Sequence, residues 1–280
     1  MILSYNPIIV ADRNLVCAGR QPDESDLAAI RQARAVILGQ GCYESLYRMA
    51  RANCAHVFPN MDARFDHPGK ANQIRLFRAL GIAHPPARLF ASVADLAFAA
   101  SALEFPLVLK LDWGGEGETV FKADDPAALA EALDFARACE GSGQCGFLIQ
   151  PYIPGGHRCV RVVVIGGQTR SYWRIQQKER IFGTGLAKGA VIDHHERPDL
   201  QAAARTAAEA VCRKTGLQLA GFDFIFDQRA LEQGESVPLL LEINFFFGRS
   251  GLGGSDGYYR LFEKAVDQWL GELKLERATR

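Results

Sequence analysis

Apolar and polar positions along the chain switch repeatedly between helical and extended spacing, and those switches mark its elements. Ile8-Ile9-Val10 and Ala35 to Leu38 read as short strands, with a polar, Ala-rich helical stretch from Asp23 to Arg34 between them. Ala71, Ile74, Phe77 and Leu80 recur at helical spacing, and Gly81 stands where a helix C-terminus wants a left-handed residue. After Pro85-Pro86 the pattern predicts a strand from Ala87 to Ala91, a helix from Ser92 to Leu103 and a strand from Pro106 to Leu111. Leu129, Leu133 and Ala136 then mark a helix, and Phe147 to Ile149 a strand. From Gln150 the texture becomes β-rich. Cys159 to Ile165 and Gln168 to Ile175 flank Gly166-Gly167, the dipeptide of a two-residue hairpin turn. A helix from Leu200 to Lys214 follows, and a polar loop joins strands at Gly221 to Phe226 and Leu239 to Phe245. The last helix, from about Tyr258 to Leu273, carries Leu261, Ala265, Trp269 and Leu273 on one face.

These elements predict a mixed α/β and α+β architecture. Residues 1–66 form a small α/β domain, residues 67–280 a larger one, and about 85–149 a compact α+β subdomain within it. Gly39-Gln40-Gly41 follows a strand, but the third glycine of a dinucleotide fingerprint would fall at Glu44, which favours a plain strand-to-helix turn.

Composition narrows the function classes. The 280 residues carry 32 basic and 32 acidic side chains, scattered rather than clustered, so no large cationic footprint for nucleic acid is present. No apolar run is long enough to span a bilayer, and no basic residue precedes an apolar stretch at the N-terminus. A cytoplasmic protein without a membrane partner is expected. The 7 cysteines form no C-x-x-C pair and read as isolated reduced thiols.

Three oxygen-bearing side chains interrupt two otherwise apolar strands. On the first, Asp223 and Ile225 share a face opposite Phe222, Phe224 and Phe226. On the second, strict alternation puts Leu240, Glu242 and Asn244 together, opposite Leu239, Leu241 and Ile243. Burying a lone carboxylate costs several kcal/mol, so something must compensate Asp223 and Glu242. A Mg²⁺ ion sharing its shell with phosphates is one answer, and a core Lys or Arg is another. Lys110 ends a buried-looking strand and is followed by Asp112-Trp113-Gly114-Gly115-Glu116-Gly117-Glu118-Thr119-Val120. Backbone N–H groups of such a turn converge on an anion, though a plain hairpin loop has the same composition. It is not a P-loop, because no G-x-x-x-x-G-K-[ST] occurs. His194-His195, adjacent on an extended chain, point apart and read as a polar loop pair rather than a metal site.

The order of motifs resembles the ATP-grasp superfamily, nearest to the branch of the ribosomal-protein glutamate ligase (RimK-like) and related amino-acid ligases. The series is Lys70 before a helix, Lys110 before the glycine loop, Leu148 to Ile153, Val160 to Gly167, Gly221-Phe222-Asp223 and Leu241 to Asn244. The resemblance runs from about His67 to the C-terminus and implies two α+β subdomains clasping ATP. It implies that Lys70 and Lys110 contact the nucleotide phosphates, that Gly114, Gly115, Glu116 and Gly117 close over them as a lid, and that Gln150, Pro151, Tyr152 and Ile153 read the adenine edge. Asp223, Glu242 and Asn244 would hold one or two Mg²⁺ (or Mn²⁺) ions, and Arg161 and Arg174 would stabilise the transferring phosphoryl group. Arg249, in a glycine-rich loop, would grip a substrate carboxylate, and Lys188 is either a further basic residue on the substrate side or an ordinary surface charge. The implied reaction activates a small-molecule or peptide carboxylate as an acyl-phosphate and passes it to an amine, with a homo-oligomer left open. Three departures stand out: Pro151 replaces an acid, Cys159 replaces the acid of an Asp-x-Arg, and Thr119 replaces a later glycine. A non-catalytic nucleotide-binding module and a phosphotransferase are the alternatives that those departures and the same site leave open.

Overall fold

The computed structural model describes residues 1–96, 103–115, 117–178 and 180–277. The first sheet is parallel, in the order β2-β1-β3-β4, from β1 (Ile2–Ser4), β2 (Arg13–Asn14), β3 (Ala35–Ile37) and β4 (Val57–Phe58). Helices α1 (Glu24–Gln32) and α2 (Glu44–Asn53) connect these strands. Asp23 starts α1 with a capping box, accepting the N–H groups of Ser25 and Asp26 while Asp26 reaches back to it. Ile8 to Val10 is not a strand. The Asn6 side chain accepts the Ile8 N–H (3.0 Å) and turns the chain there, so Ile2–Ser4 takes the central sheet position instead.

After α3 (Asp62–Asp66), helix α4 (Gly69–Leu80) ends on Gly81 in the left-handed region at φ 62°. The second sheet is antiparallel, in the order β5-β8-β6-β7. It contains β5 (Arg88–Phe90), β6 (Leu107–Leu111), β7 (Val120–Ala123) and β8 (Phe147–Pro151), with α5 (Val93–Leu96) and α6 (Pro126–Gly141) beside it. The remainder of the helix expected over Ser92 to Leu103 lies in part outside the described residues.

The third sheet, also antiparallel, runs β11-β10-β9-β12-β13. Its strands are β9 (Arg158–Ile165), β10 (Gln168–Ile175), β11 (Val191–Asp193), β12 (Leu219–Ile225) and β13 (Leu239–Asn244), and α7 (Pro198–Thr215), α8 (Gln228–Glu232) and α9 (Gly254–Glu272) complete the chain. Gly166 and Gly167 form the expected two-residue turn, with Ile165 paired to Gln168. One face of this sheet packs Val160, Val162, Phe222 and Phe224 against α4 and α7. The other face packs Val163, Ile165 and Leu219 against α9 and the parallel sheet. All seven cysteines are free thiols. Among the described residues no helix is long and apolar enough to cross a membrane.

Candidate active site

A cavity of about 460 Å³ opens between the second and third sheets, lined from β6, β8, β9, β10, β12 and β13. Asp223 lies on β12 directly opposite Arg161 of β9 and Glu242 of β13, so three charged residues stand side by side across three strands. The register of β12 and β13 shifts between Asp223 and Phe224, a β-bulge. The bulge overturns the alternation expected for β13. Leu240 joins Ile243 in the core, while Leu241, Glu242 and Asn244 line the cavity. A continued alternation would have placed Leu240 beside Glu242, among polar groups.

The Asp223 carboxylate is 3% exposed and fully engaged. Arg161 donates to it through Nε (2.6 Å) and Nη2 (2.9 Å), Arg174 through Nη2 (2.7 Å) and Asn244 through Nδ2 (3.1 Å). Burial would raise its pKa, but the two guanidiniums outweigh burial and hold it near 2. Of the two compensations open in the sequence, this structure takes the arginine pair for Asp223. Glu242 is in no ion pair among the described residues and presents its carboxylate to the cavity. With its amide nitrogen on Asp223, Asn244 keeps its oxygen available to the cavity. Arg174 also lines the cavity, and its Nε is buried with no hydrogen-bond partner among the described residues. Its Nη2 also reaches Cys159 Sγ (3.6 Å), and that thiol sits 2.9 Å from Thr184 Oγ1.

Lys110 extends from β6 into the cavity at 8% exposure. Burial pushes its pKa down to about 8, against the opposing pull of Glu242. Lys70 reaches the same region because Asp112 ties the start of α4 to the end of β6. The Asp112 carbonyl accepts the Lys70 N–H (3.1 Å) and its carboxylate accepts the Ala71 N–H (2.6 Å). Gly69 fits there because an added Cβ would lie 2.7 Å from Asp112 Oδ2. The Lys70 ammonium donates to the carbonyls of Trp113 (3.1 Å) and Gly114 (3.0 Å), on the glycine loop rather than on the cavity wall.

Gly115 and Gly117 of that loop line the cavity, whereas Glu116 lies outside the described residues. Thr119 folds its side chain under the loop: Oγ1 donates to Trp113 O (2.8 Å), and an added Cβ on Gly114 would meet its methyl at 2.6 Å. Lys188 donates to Gly117 O (2.8 Å) and lines the cavity, so it is not a free surface charge. Phe182, Thr184 and Leu186 line it too and were not singled out from the sequence; Gly183-Thr184-Gly185, a second glycine-flanked loop, was the available signal.

Gln150, Pro151, Tyr152 and Ile153 all line the cavity. The Tyr152 N–H donates to Pro106 O (3.0 Å), toward β6. By alternation the missing N–H of Pro151 falls on the opposite edge, so the proline breaks no ladder bond. The Pro151 carbonyl and Ile153 N–H are then directed to that same edge. Arg249 is not brought together with these residues. It donates to Tyr259 Oη (2.9 Å) and Ser255 Oγ (3.2 Å) and lies over the Tyr258 ring (4.4 Å), against α9. His194 and His195 sit in the turn after β11, and among the described residues no cluster of three His, Cys, Asp or Glu side chains could hold a metal by itself.

The model of the RimK-like ATP-grasp domain matches residues 68–251, about two thirds of the chain. The chain belongs to this family. Solved ATP-grasp proteins share its fold at low identity. A RimK-domain ATP-grasp protein from Sphaerobacter thermophilus superposes with a TM-score of 0.60 at 15% identity, covering 94% of this chain and 98% of that one. D-alanine–D-alanine ligase from Bacillus anthracis gives 0.62 at 15% identity, covering 92% and 86%. An ADP complex of N5-carboxyaminoimidazole ribonucleotide synthetase gives 0.60 at 15% identity, covering 89% of this chain but 64% of that one. The chain thus spans less than two thirds of that larger enzyme. No curated protein sequence matches. In this ATP-grasp fold the cavity lies between the antiparallel sheets, with Lys110, the glycine loop and Glu242 on its walls.

Proposed function

We propose that this chain is an ATP-dependent carboxylate–amine ligase that works through an acyl-phosphate. One observation carries the reading: a buried ammonium (Lys110), the guanidinium-bearing Arg174 and a carboxylate in no ion pair among the described residues (Glu242) line one cavity. Two fixed cationic donors suit a polyphosphate, and the carboxylate beside them suits the cation that accompanies it. Glu242 and Asn244, with Asp223 next to them, would hold Mg²⁺, whose part is to neutralise phosphate charge. The chain's own residues do the rest. The Pro151 carbonyl and Ile153 N–H meet the adenine edge, and Lys110 and Arg174 hold the phosphates. Lys188, Lys70 and Thr119 position the glycine loop over them, which excludes water from a reactive intermediate.

In the first step a carboxylate oxygen of the substrate attacks the γ-phosphorus, and the bond to ADP breaks. In the second an amine nitrogen attacks the acyl carbon, inorganic phosphate leaves, and the nitrogen gives up a proton. Purified protein given Mg-ATP with a panel of acids and amines is expected to release ADP and phosphate, and hydroxylamine should trap a hydroxamate. AMP and pyrophosphate as products would sink this chemistry. The locking of Asp223 by two arginines favours a second reading, a nucleotide-binding module without turnover. That module would bind Mg-ATP in calorimetry yet release no ADP across the same panel.

A further inference from the structure

Arg64, on α3 against the ring of the cavity-lining Phe246, has no acidic partner among the described residues. Its neighbours do: Arg48 pairs with Asp66 (2.6 Å) and Arg51 with Asp62 (3.1 Å). Arg64 is instead held by neutral groups. Its Cζ lies 4.4 Å from the ring centroid of Phe246 and 4.7 Å from that of Phe65, and Nη1 donates to the Gln40 carbonyl (2.8 Å). Burial pushes its pKa down, and no carboxylate offsets that. Phe246 is the second unusual group. It is 64% exposed, yet it lines the mouth of the cavity next to Phe247 and Gly248. Its loop is fixed from the parallel sheet, because Gln40 Nε2 donates to Phe245 O (3.0 Å). A cation without a counter-ion among the described residues and a largely exposed ring thus sit together beside the cavity, on a loop tied down by Gln40.

We propose that Arg64 and Phe246 form the subsite for the amine substrate, an amino acid with an apolar side chain. Its carboxylate pairs with the free edge of the guanidinium, a charge-assisted and geometrically demanding contact. Its side chain covers the exposed part of the Phe246 ring. The inference rests on the ligase reading. Arg64 is not on the cavity wall, so a carboxylate held there is not the one that is phosphorylated. The amine is the reactive group left to enter: its nitrogen attacks the acyl carbon, the carbon–oxygen bond to phosphate breaks, and a proton is released.

The test is calorimetric titration of the full chain with L-phenylalanine, L-phenylalaninamide and glycine, each without nucleotide and with Mg-ADP. L-Phenylalanine should bind at least about tenfold more tightly than the amide, which lacks the carboxylate, and than glycine, which lacks the ring. Arg64→Gln should erase the preference over the amide but keep the preference over glycine, and Phe246→Ala should do the reverse. A purely structural role for either residue would weaken all three probes alike. Arg64→Lys, which keeps the charge, should restore part of the carboxylate preference. The subsite is wrong if L-phenylalanine does not bind in either condition, if it binds no better than its amide, or if its preference survives Arg64→Gln. A Mg-ATP titration of the unaltered protein separates the two ideas. Nucleotide binding without amino-acid discrimination removes the subsite alone, whereas no nucleotide binding removes the ligase reading beneath it.

Discussion

Asp223 Oδ2 accepts three donors, from Arg161, Arg174 and Asn244, and that crowding changes what its substitution reports. Asp223→Asn would leave two largely buried guanidiniums without a counter-charge, their side chains being 6% and 14% exposed. Breaking such a cluster costs about 3–5 kcal/mol, which a urea midpoint would register. The carboxyl's folded pKa lies below its unfolded one, so the cluster stabilises at neutral pH and is lost only as pH falls from 3.8 towards about 2. Glu242→Gln breaks no ion pair among the described residues and removes only a longer-range attraction on Lys110 and Lys70, so stability should stay within about 1 kcal/mol while Mg-ATP turnover falls. Equal destabilisation by both variants would contradict this division. Lys110 carries the complementary test. Its pKa of about 8 lies below its unfolded value of 10.5, so the unfolded chain holds more protons in that window, and stability rises with pH across it. A bound polyphosphate favours the ammonium and lifts the pKa again. ATP binding at pH 8 should therefore take up protons, seen as a dependence of the calorimetric heat on buffer ionisation enthalpy, and the uptake should fade at pH 6.5. Identical heats in all buffers at pH 8 would remove Lys110 from the phosphate site.

Elements whose signal is local were legible in the sequence. Helix α4 follows from Ala71, Ile74, Phe77 and Gly81, the β9–β10 turn from Gly166-Gly167, and α1 from its polar start at Asp23. The acid-bearing strands were also found, but not their relative facing. Leu239-Leu240-Leu241 offers no contrast between neighbours, so nothing in the pattern marks the extra residue of the bulge. Only the packing of Leu240 beside Ile243 decides it. Ile8 to Val10 misled for a related reason: Ile9 is buried at 1% exposure and reads as strand, yet it packs from a turn set by Asn6. In the site, Lys70, Lys110 and Glu242 were recognisable as charges beside glycines or within apolar strands. Lys188 was singled out only through the resemblance and Arg64 not at all, because their settings depend on partners 71 and 24 residues away, Gly117 and Gln40. Arg249 shows the converse. It has the residue type and glycine-rich setting of a substrate ligand, and two tyrosines of α9 claim it.

At the scale of the molecule, the parallel sheet is bound to the rest by a shared core. Ile2, Ile9, Ala35, Ile37 and Phe58 belong to one buried cluster with Val163 and Ile165 of β9 and Phe262, Val266 and Leu270 of α9. Phe58 is its centre, edge-on to Phe262 at 5.6 Å and 5.3 Å from Trp269. Asn60 and Gln218 add a reciprocal pair at the seam, N–H to side-chain oxygen at 2.8 Å and N–H to carbonyl at 3.2 Å. The first residues therefore should not unfold apart from the last helix. Phe58→Ala deletes a ring at 0% exposure and should cost about 3–5 kcal/mol. With Trp113 and Trp173 each replaced by Phe so that Trp269 alone reports on that seam, tryptophan fluorescence and far-ultraviolet circular dichroism should give coincident urea transitions in this parent, shifted together when Phe58→Ala is added. A fluorescence transition that precedes the dichroism change in the parent would mean that the seam opens independently. The consequence reaches the site, because Gln40 and Arg64 hold the Phe245–Phe246 loop from the N-terminal side of this seam. Loosening Phe58 should thus weaken amino-acid discrimination before it weakens nucleotide binding, because Lys110, Gln150 and Pro151, proposed for the nucleotide, belong to the second sheet, outside this core.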